Sequence, residues 1–309
     1  MNANTDLSVK VLFSKAWFDY RSKFVVLFGI LSAPLVALLL SYFLAEILPP
    51  LSYLLLVLAG VLVWVSQIAM IYALKIPGIK IVDAYGKAFL KIFSLLWTGI
   101  LVAGNLASVF AIPLILGLVV FFMYQAGILQ NFKPLFYGIA GLAAFLAVLY
   151  AIYFAILYQF TTYALIGLEK KGVSALLASV SCVKGKWFFV LTRILVTVVI
   201  LTLPMFLLDI ALINQQELFN LIQSVYGYVI TPFVVAYMYN LFVGLKEIQT
   251  VDLAEKASQR NWVVGRAAFG FATVFGLLLF LSVVQKTDYF PVLKARLGEI
   301  QQQSKILGK

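Results

Sequence analysis

The chain has 309 residues, 64% of them apolar and only 11% charged, with a formal net charge of +11, no histidine and one cysteine. An apolar share so far above the roughly 45–50% of soluble domains needs a non-aqueous solvent, and the lone Cys182 excludes an internal disulfide framework or a thiolate metal cluster within one chain. The positive charge raises the question of nucleic acid. No basic run is interleaved with stacking aromatics, and cations beside spans are what anionic headgroups and the positive-inside bias produce, so no nucleic acid partner is expected.

The charged residues separate apolar runs of about 20 or more residues, the length that crosses a hydrocarbon core. Without period-two alternation these runs predict an all-α, polytopic membrane bundle in which each helix satisfies its own backbone. The first element is a short amphipathic helix with Val9, Leu12, Phe13, Ala16 and Tyr20 on one face and Lys15, Asp19 and Ser22 opposite. Arg21 and Lys23 lead from it into span one, residues 24–44, which is longer than a signal h-region and has no small-x-small cleavage pattern before Glu46. Pro49 and Pro50 force a tight turn into span two, 51–74, which stops at Lys75, Pro77 and Gly78. A second amphipathic segment follows, with Val82, Tyr85, Phe89 and Ile92 as its stripe and Asp83, Lys87 and Lys91 as its polar row. Span three, 92–124, contains Pro113 and is either kinked or broken there. After a connection at 125–134, span four covers 135–168, about 50 Å if wholly helical, so part of it must tilt or protrude from a core of about 30 Å.

Glu169, Lys170 and Lys171 close span four, and a third, less polar segment carries Val173, Leu176, Leu177 and Val180. Lys184, Gly185 and Lys186 precede span five at 187–213; after a turn at 214–220, span six covers 221–245. A polar stretch, 246–260, separates these six spans from an apolar run at 263–284 and a polar tail from 285. The chain thus divides into a six-span domain, 1–250, and a remainder, 251–309, with a seventh span.

With the N-terminus in the cytoplasm, the inner segments hold Lys10, Lys15, Arg21 and Lys23, then Lys75, Lys80, Lys87 and Lys91, then Lys170, Lys171, Lys184, Lys186 and Arg193, and finally Lys246, Lys256, Arg260 and Arg266. The three outer turns hold one cation, Lys133. A crossing seventh span places Lys286, Lys294, Arg296, Lys305 and Lys309 outside, against the charge rule; the alternative is a segment that packs without crossing. The three short amphipathic segments have two readings. They lie in the headgroup plane with cations snorkelling to phosphates, or they are the cytoplasmic ends of helices packed on one another.

The stretch Glu169, Lys170, Lys171, Gly172, Ala175, Leu176 and Ser179, followed by Lys184, Gly185, Lys186, Trp187 and Arg193, resembles the membrane domain found with glycerophosphoryl diester phosphodiesterases and the related YciC-like bacterial inner-membrane proteins. Thr231, Pro232 and Phe233 with Asn240, Leu241, Phe242 and Leu245 are similar to the ending of that family's last helix. The likeness covers roughly residues 1–250; the usual Tyr-Tyr-Asp-Leu-Arg ending is replaced here by Tyr239, Asn240, Leu241 and Phe242. It implies a six-helix core in a prokaryotic inner membrane, often beside a catalytic domain that is lacking here.

Chemistry in lipid announces itself through ionisable residues at mid-depth. Here Arg193 lies about two turns inside span five, within snorkelling reach of the interface, and no Asp, Glu or Lys falls at the centre of a span. Asp209 and Glu217 flank the outer end of span five and read as solvated loop acids in preference to a carboxylate pair for metal or acid-base work. No cofactor or metal is expected. The neutral mid-span residues Gln67, Asn105 and Gln159 are either interhelical glue or a path for a neutral or zwitterionic substrate. Gly138 with Gly141 and Gly99 with Gly104 miss the four-residue spacing of a close-packing motif. Trp187 and Trp262 read as interface anchors.

The expectation is a non-catalytic membrane protein whose basic cytoplasmic face holds anionic lipid or a protein partner through Arg21, Lys23, Lys87, Lys91, Lys184, Lys186, Trp187 and Arg193. The alternative is a permease or lipid-handling transporter, with a membrane enzyme ranked last.

Overall fold

The computed structural model describes residues 7–125, 133–248 and 257–286, and among them every regular element is a helix. Most of the connection after span three (126–132), most of the polar stretch (249–256) and the tail from 287 lie outside the described residues. The helices are α1 (Val9–Ser22), α2 (Phe24–Leu44), α3 (Pro49–Lys75), α4 (Ile81–Phe89), α5 (Ile92–Gln125), α6 (Lys133–Tyr158), α7 (Thr161–Gly167), α8 (Gly172–Val183), α9 (Trp187–Ala211), α10 (Gln216–Ile248) and α11 (Ala257–Lys286). Seven helical stretches are long and apolar enough to cross a membrane, and the chain is an all-α polytopic bundle.

Local chemistry accounts for most boundaries. Ser8 caps α1, its hydroxyl accepting from the Val11 amide at 3.3 Å. Pro49 and Pro50 open α3, where a missing N–H costs nothing. Just inside that turn, the hydroxyls of Ser41 and Ser52 each donate to the other's carbonyl at 2.9 Å, a reciprocal clasp that satisfies four polar groups without water. Pro113 does not break α5, which remains one helix.

Span four differs from the single run expected. It is broken between Tyr158 and Thr161, and the break is held by a hydroxyl from elsewhere in the chain. Ser179 of α8 accepts from the Phe160 amide at 3.1 Å and donates to the Leu157 carbonyl at 2.7 Å, replacing the two ladder bonds that the break removes. All of Leu157, Tyr158, Phe160 and Ser179 are buried. The long apolar run is therefore two helices, and α7 packs on α8.

The helices form two units. Unit one comprises 1–98 and 156–255, and its core is concentrated towards the C-terminal halves of α3 and α10. There α3 buries Ser66, Ile68, Met70 and Ile71, and α10 buries Phe233, Tyr237, Leu241 and Leu245. The three short segments are all helices, each packed differently. α1 buries Leu12, Ala16 and Tyr20 of its expected stripe. α4 is rotated: Ala84 and Ala88 are its buried residues, while Val82 and Phe89 are exposed, because the small alanines permit the closer approach. Tyr85 is fixed by donating to the Ile30 carbonyl at 2.5 Å. α8 buries Gly172, Val173, Ala175, Leu176, Ala178, Ser179, Cys182 and Val183, while Leu177 and Val180 of its expected stripe are half-buried.

Unit two comprises 99–155 and 256–309. α5 and α11 run side by side in the same direction, from Asn105 against Val263 to Phe122 against Phe280, whose rings are 5.5 Å apart. Their backbones meet at glycines: a Cβ on Gly270 would lie 2.1 Å from the Gly104 carbonyl oxygen and 2.6 Å from the Ser108 nitrogen. The close-packing motif is therefore Gly104 with Ser108, four residues apart, facing Ala267 and Gly270.

Candidate functional site

The expected contact residues divide by what already occupies them. Lys23, between α1 and α2, donates to the carbonyls of Ala73 and Leu74 at 3.0 and 2.8 Å, so its charge caps the C-terminal end of α3. Burial lowers its amine pKa, opposed in part by the nearby Asp19 carboxylate. Lys75 does the same for α7, donating to Ile166 O at 2.9 Å and pairing with Glu169 at 3.1 Å. Arg193 donates from Nε to the Leu7 carbonyl at 3.2 Å and stacks 4.1 Å over Phe189, pinning the start of α1 to α9. These cations were read from the sequence as a single class with the rest; packing uses them as internal ties.

Arg21, Lys87 and Lys184 are exposed, and Lys91, Lys186 and Trp187 are half-buried. Lys87 and Lys91 flank the Lys75–Glu169 pair. The Glu169 carboxyl is held below its ordinary value chiefly by the hydrogen bond from Lys75, then by the Lys75 charge and, more weakly, by those of Lys91 and Lys87. Glu169 adopts a left-handed backbone (φ 57°), as does Gly172 (φ 51°), where the loop folds back so that α8 can return beneath Trp97.

The neutral polar residues are not equivalent either. Asn105 is fully buried, its amide donating to Leu101 O at 2.8 Å and across to Val263 O at 3.1 Å, as interhelical glue would. Gln67 is exposed on α3, and Gln159 is exposed at the α6–α7 break. Asp209 and Glu217 are both exposed at the ends of the α9–α10 turn.

Two features escaped the sequence reading. Arg266, in the second turn of the span Gln259–Ser282, donates to the Ser108 hydroxyl at 3.3 and 3.1 Å and lies over the rings of Phe154 and Trp262 at 4.2 and 4.7 Å. No carboxylate pairs with it among the described residues; aromatic faces and a hydroxyl hold the charge instead. Its signal was the i, i+4 pair Trp262 and Arg266, but Phe154 is remote in sequence. The second feature is an open cavity of about 460 Å³ between α1, α9 and α10, lined mainly by aromatic and aliphatic side chains. No protein-family model, curated protein or solved structure matches the chain.

Proposed function

We propose that this protein is a non-catalytic component of a prokaryotic cytoplasmic membrane that holds anionic lipid on its basic inner face. The supporting observation is the division of labour among the cations of unit one. Lys23, Lys75 and Arg193 donate to backbone carbonyls; Arg21, Lys87 and Lys184 are exposed, on segments that the charge count assigns to the cytoplasmic side. A cation at an anionic surface contributes about 1 kcal/mol, so several together retain lipid through gentle extraction. The resemblance read from the sequence, to a membrane core often found beside a separate catalytic domain, is compatible with this reading.

Native mass spectrometry of the gently extracted protein tests the proposal. Anionic lipid is expected to co-purify and to be depleted by the Lys184→Gln/Lys186→Gln pair. An unchanged lipid complement in a folded variant rejects it, and a co-purifying protein lost in the same variant points to a protein partner at that face.

A further inference from the structure

The cavity beside α1 lies at a depth that suits an acyl chain. Its walls include Phe13, Trp17 and Tyr20 of α1, Leu201 of α9, and Val229 and Phe233 of α10. Arg193 marks one polar level and the Asn240–Asp19 hydrogen bond, 2.8 Å, another. Leu201 is eight residues beyond Arg193 and Val229 eleven before Asn240, about 12 and 16 Å along their helices towards the bilayer centre. The volume falls within the roughly 300–1,000 Å³ of ligand sites. An opening lined almost wholly by apolar side chains, between α1 and two helices long and apolar enough to span, suits hydrocarbon better than water.

The mouth has a matching charge pattern. Lys10, Ser14, Trp17 and Arg21 recur at spacings of four, three and four, so they form one stripe along α1. Ser14 and Trp17 line the cavity; Lys10 and Arg21, both exposed, stand one turn away at either end. Asp19 is the acid of α1, and its carboxylate is turned to Asn240. Among the described residues, the stripe therefore presents two cations and a hydroxyl with no opposing carboxylate on α1.

We infer that this is a specific site for one anionic phospholipid, with an acyl chain in the aromatic cavity and the headgroup lying along the stripe that Lys10, Ser14 and Arg21 define. The inference rests on the reading of the protein as a holder of anionic lipid and adds a location and a stoichiometry. It differs from the Lys184–Lys186 face in having an apolar compartment that discriminates a bound lipid from a passing one.

Trp17 supplies the probe. A variant with Trp64, Trp97, Trp187 and Trp262 replaced by Phe, reconstituted in phosphatidylcholine vesicles, is titrated with phosphatidylglycerol or phosphatidylcholine brominated on the acyl chain. Brominated phosphatidylglycerol is expected to quench Trp17 at a mole fraction roughly tenfold lower than brominated phosphatidylcholine, with the preference falling towards unity in Lys10→Gln/Arg21→Gln. Filling the cavity with Leu201→Phe should remove one lipid in native mass spectra of the otherwise unaltered chain, a readout independent of the tryptophan replacements. Equal quenching by the two lipids makes the cavity an ordinary boundary position and overturns the inference. So does absence of quenching by either, which indicates a protein occupant. If Lys10→Gln/Arg21→Gln retains all its anionic lipid while Lys184→Gln/Lys186→Gln loses it, the cavity assignment fails and the broader proposal stands; if neither loses lipid, both fail.

Discussion

Ser179 illustrates how one side chain sets the course of a helix. Its hydroxyl satisfies the Phe160 amide and the Leu157 carbonyl together, and both lie in buried surroundings. Ser179→Ala leaves a donor and an acceptor unpaired, and a loss of about 1–3 kcal/mol is expected in a reversible unfolding assay. Glu169 offers a contrast of backbone and charge. Its left-handed conformation costs a non-glycine residue about 1–2 kcal/mol, whereas an ion pair so open to solvent contributes little. Glu169→Gly is accordingly expected to be about 1 kcal/mol more stable than Glu169→Ala when the two are compared in one melting series. Because its carboxyl sits below the ordinary carboxylate range in the fold, the pair's contribution is present above that range and disappears as pH falls through the lowered value. Neither residue was legible as structural from local sequence: Ser179 acts on a break some twenty residues away, and the Glu169 conformation depends on where α8 must return.

Among the elements, the spans were readable because a twenty-residue apolar run has few alternatives in lipid, and the α1 stripe was readable because period 3.6 is local. Interfaces were less so. The α5–α11 contact depends on Gly104 and Ser108 meeting Ala267 and Gly270, residues from distant segments whose spacing is informative only once their partner is known. The cost of enlarging Gly270 follows from the atoms it meets, which are backbone and cannot swing aside. Gly270→Val is expected to destabilise unit two by about 1–3 kcal/mol, while Gly265→Val, where a Cβ meets nothing, should be close to neutral by the same thermal measurement. α8 was ambiguous. Its sequence pattern suits an interfacial helix and a packed one alike, and the burial of residues such as Ala175 and Ser179, outside the stripe, follows from neighbours that the pattern does not record.

At the scale of the whole molecule, the same-direction pairing of α5 and α11 bears on topology. α5 is the third span and α11 the seventh, so if α6, α9 and α10 each cross once, both run from the same side to the other, in agreement with their parallel contact. A segment that merely dipped into one leaflet would not keep company with α5 from Asn105 to Phe122, a rise of about 25 Å. The expected arrangement has Lys87 inside and both the α9–α10 turn and the tail outside. Cysteine labelling is the check: Asn214→Cys and Gln301→Cys should react with an impermeant maleimide on intact cells, and Lys87→Cys only after permeabilisation. Native Cys182 should not interfere, since it is fully buried and burial pushes its thiol up to about 11. Labelling of Lys87→Cys from outside would invert the orientation.

The hydroxyl splice between α6 and α7 also has a consequence for synthesis. Residues 157–160 leave the ribosome well before Ser179, and until that side chain arrives nothing identified in the fold can stand in for the two lost ladder bonds. A nascent chain ending ahead of α8 should therefore extend as one uninterrupted rod through Gln159. The break would be imposed afterwards, by a helix that is translated later and docks backwards onto its predecessor.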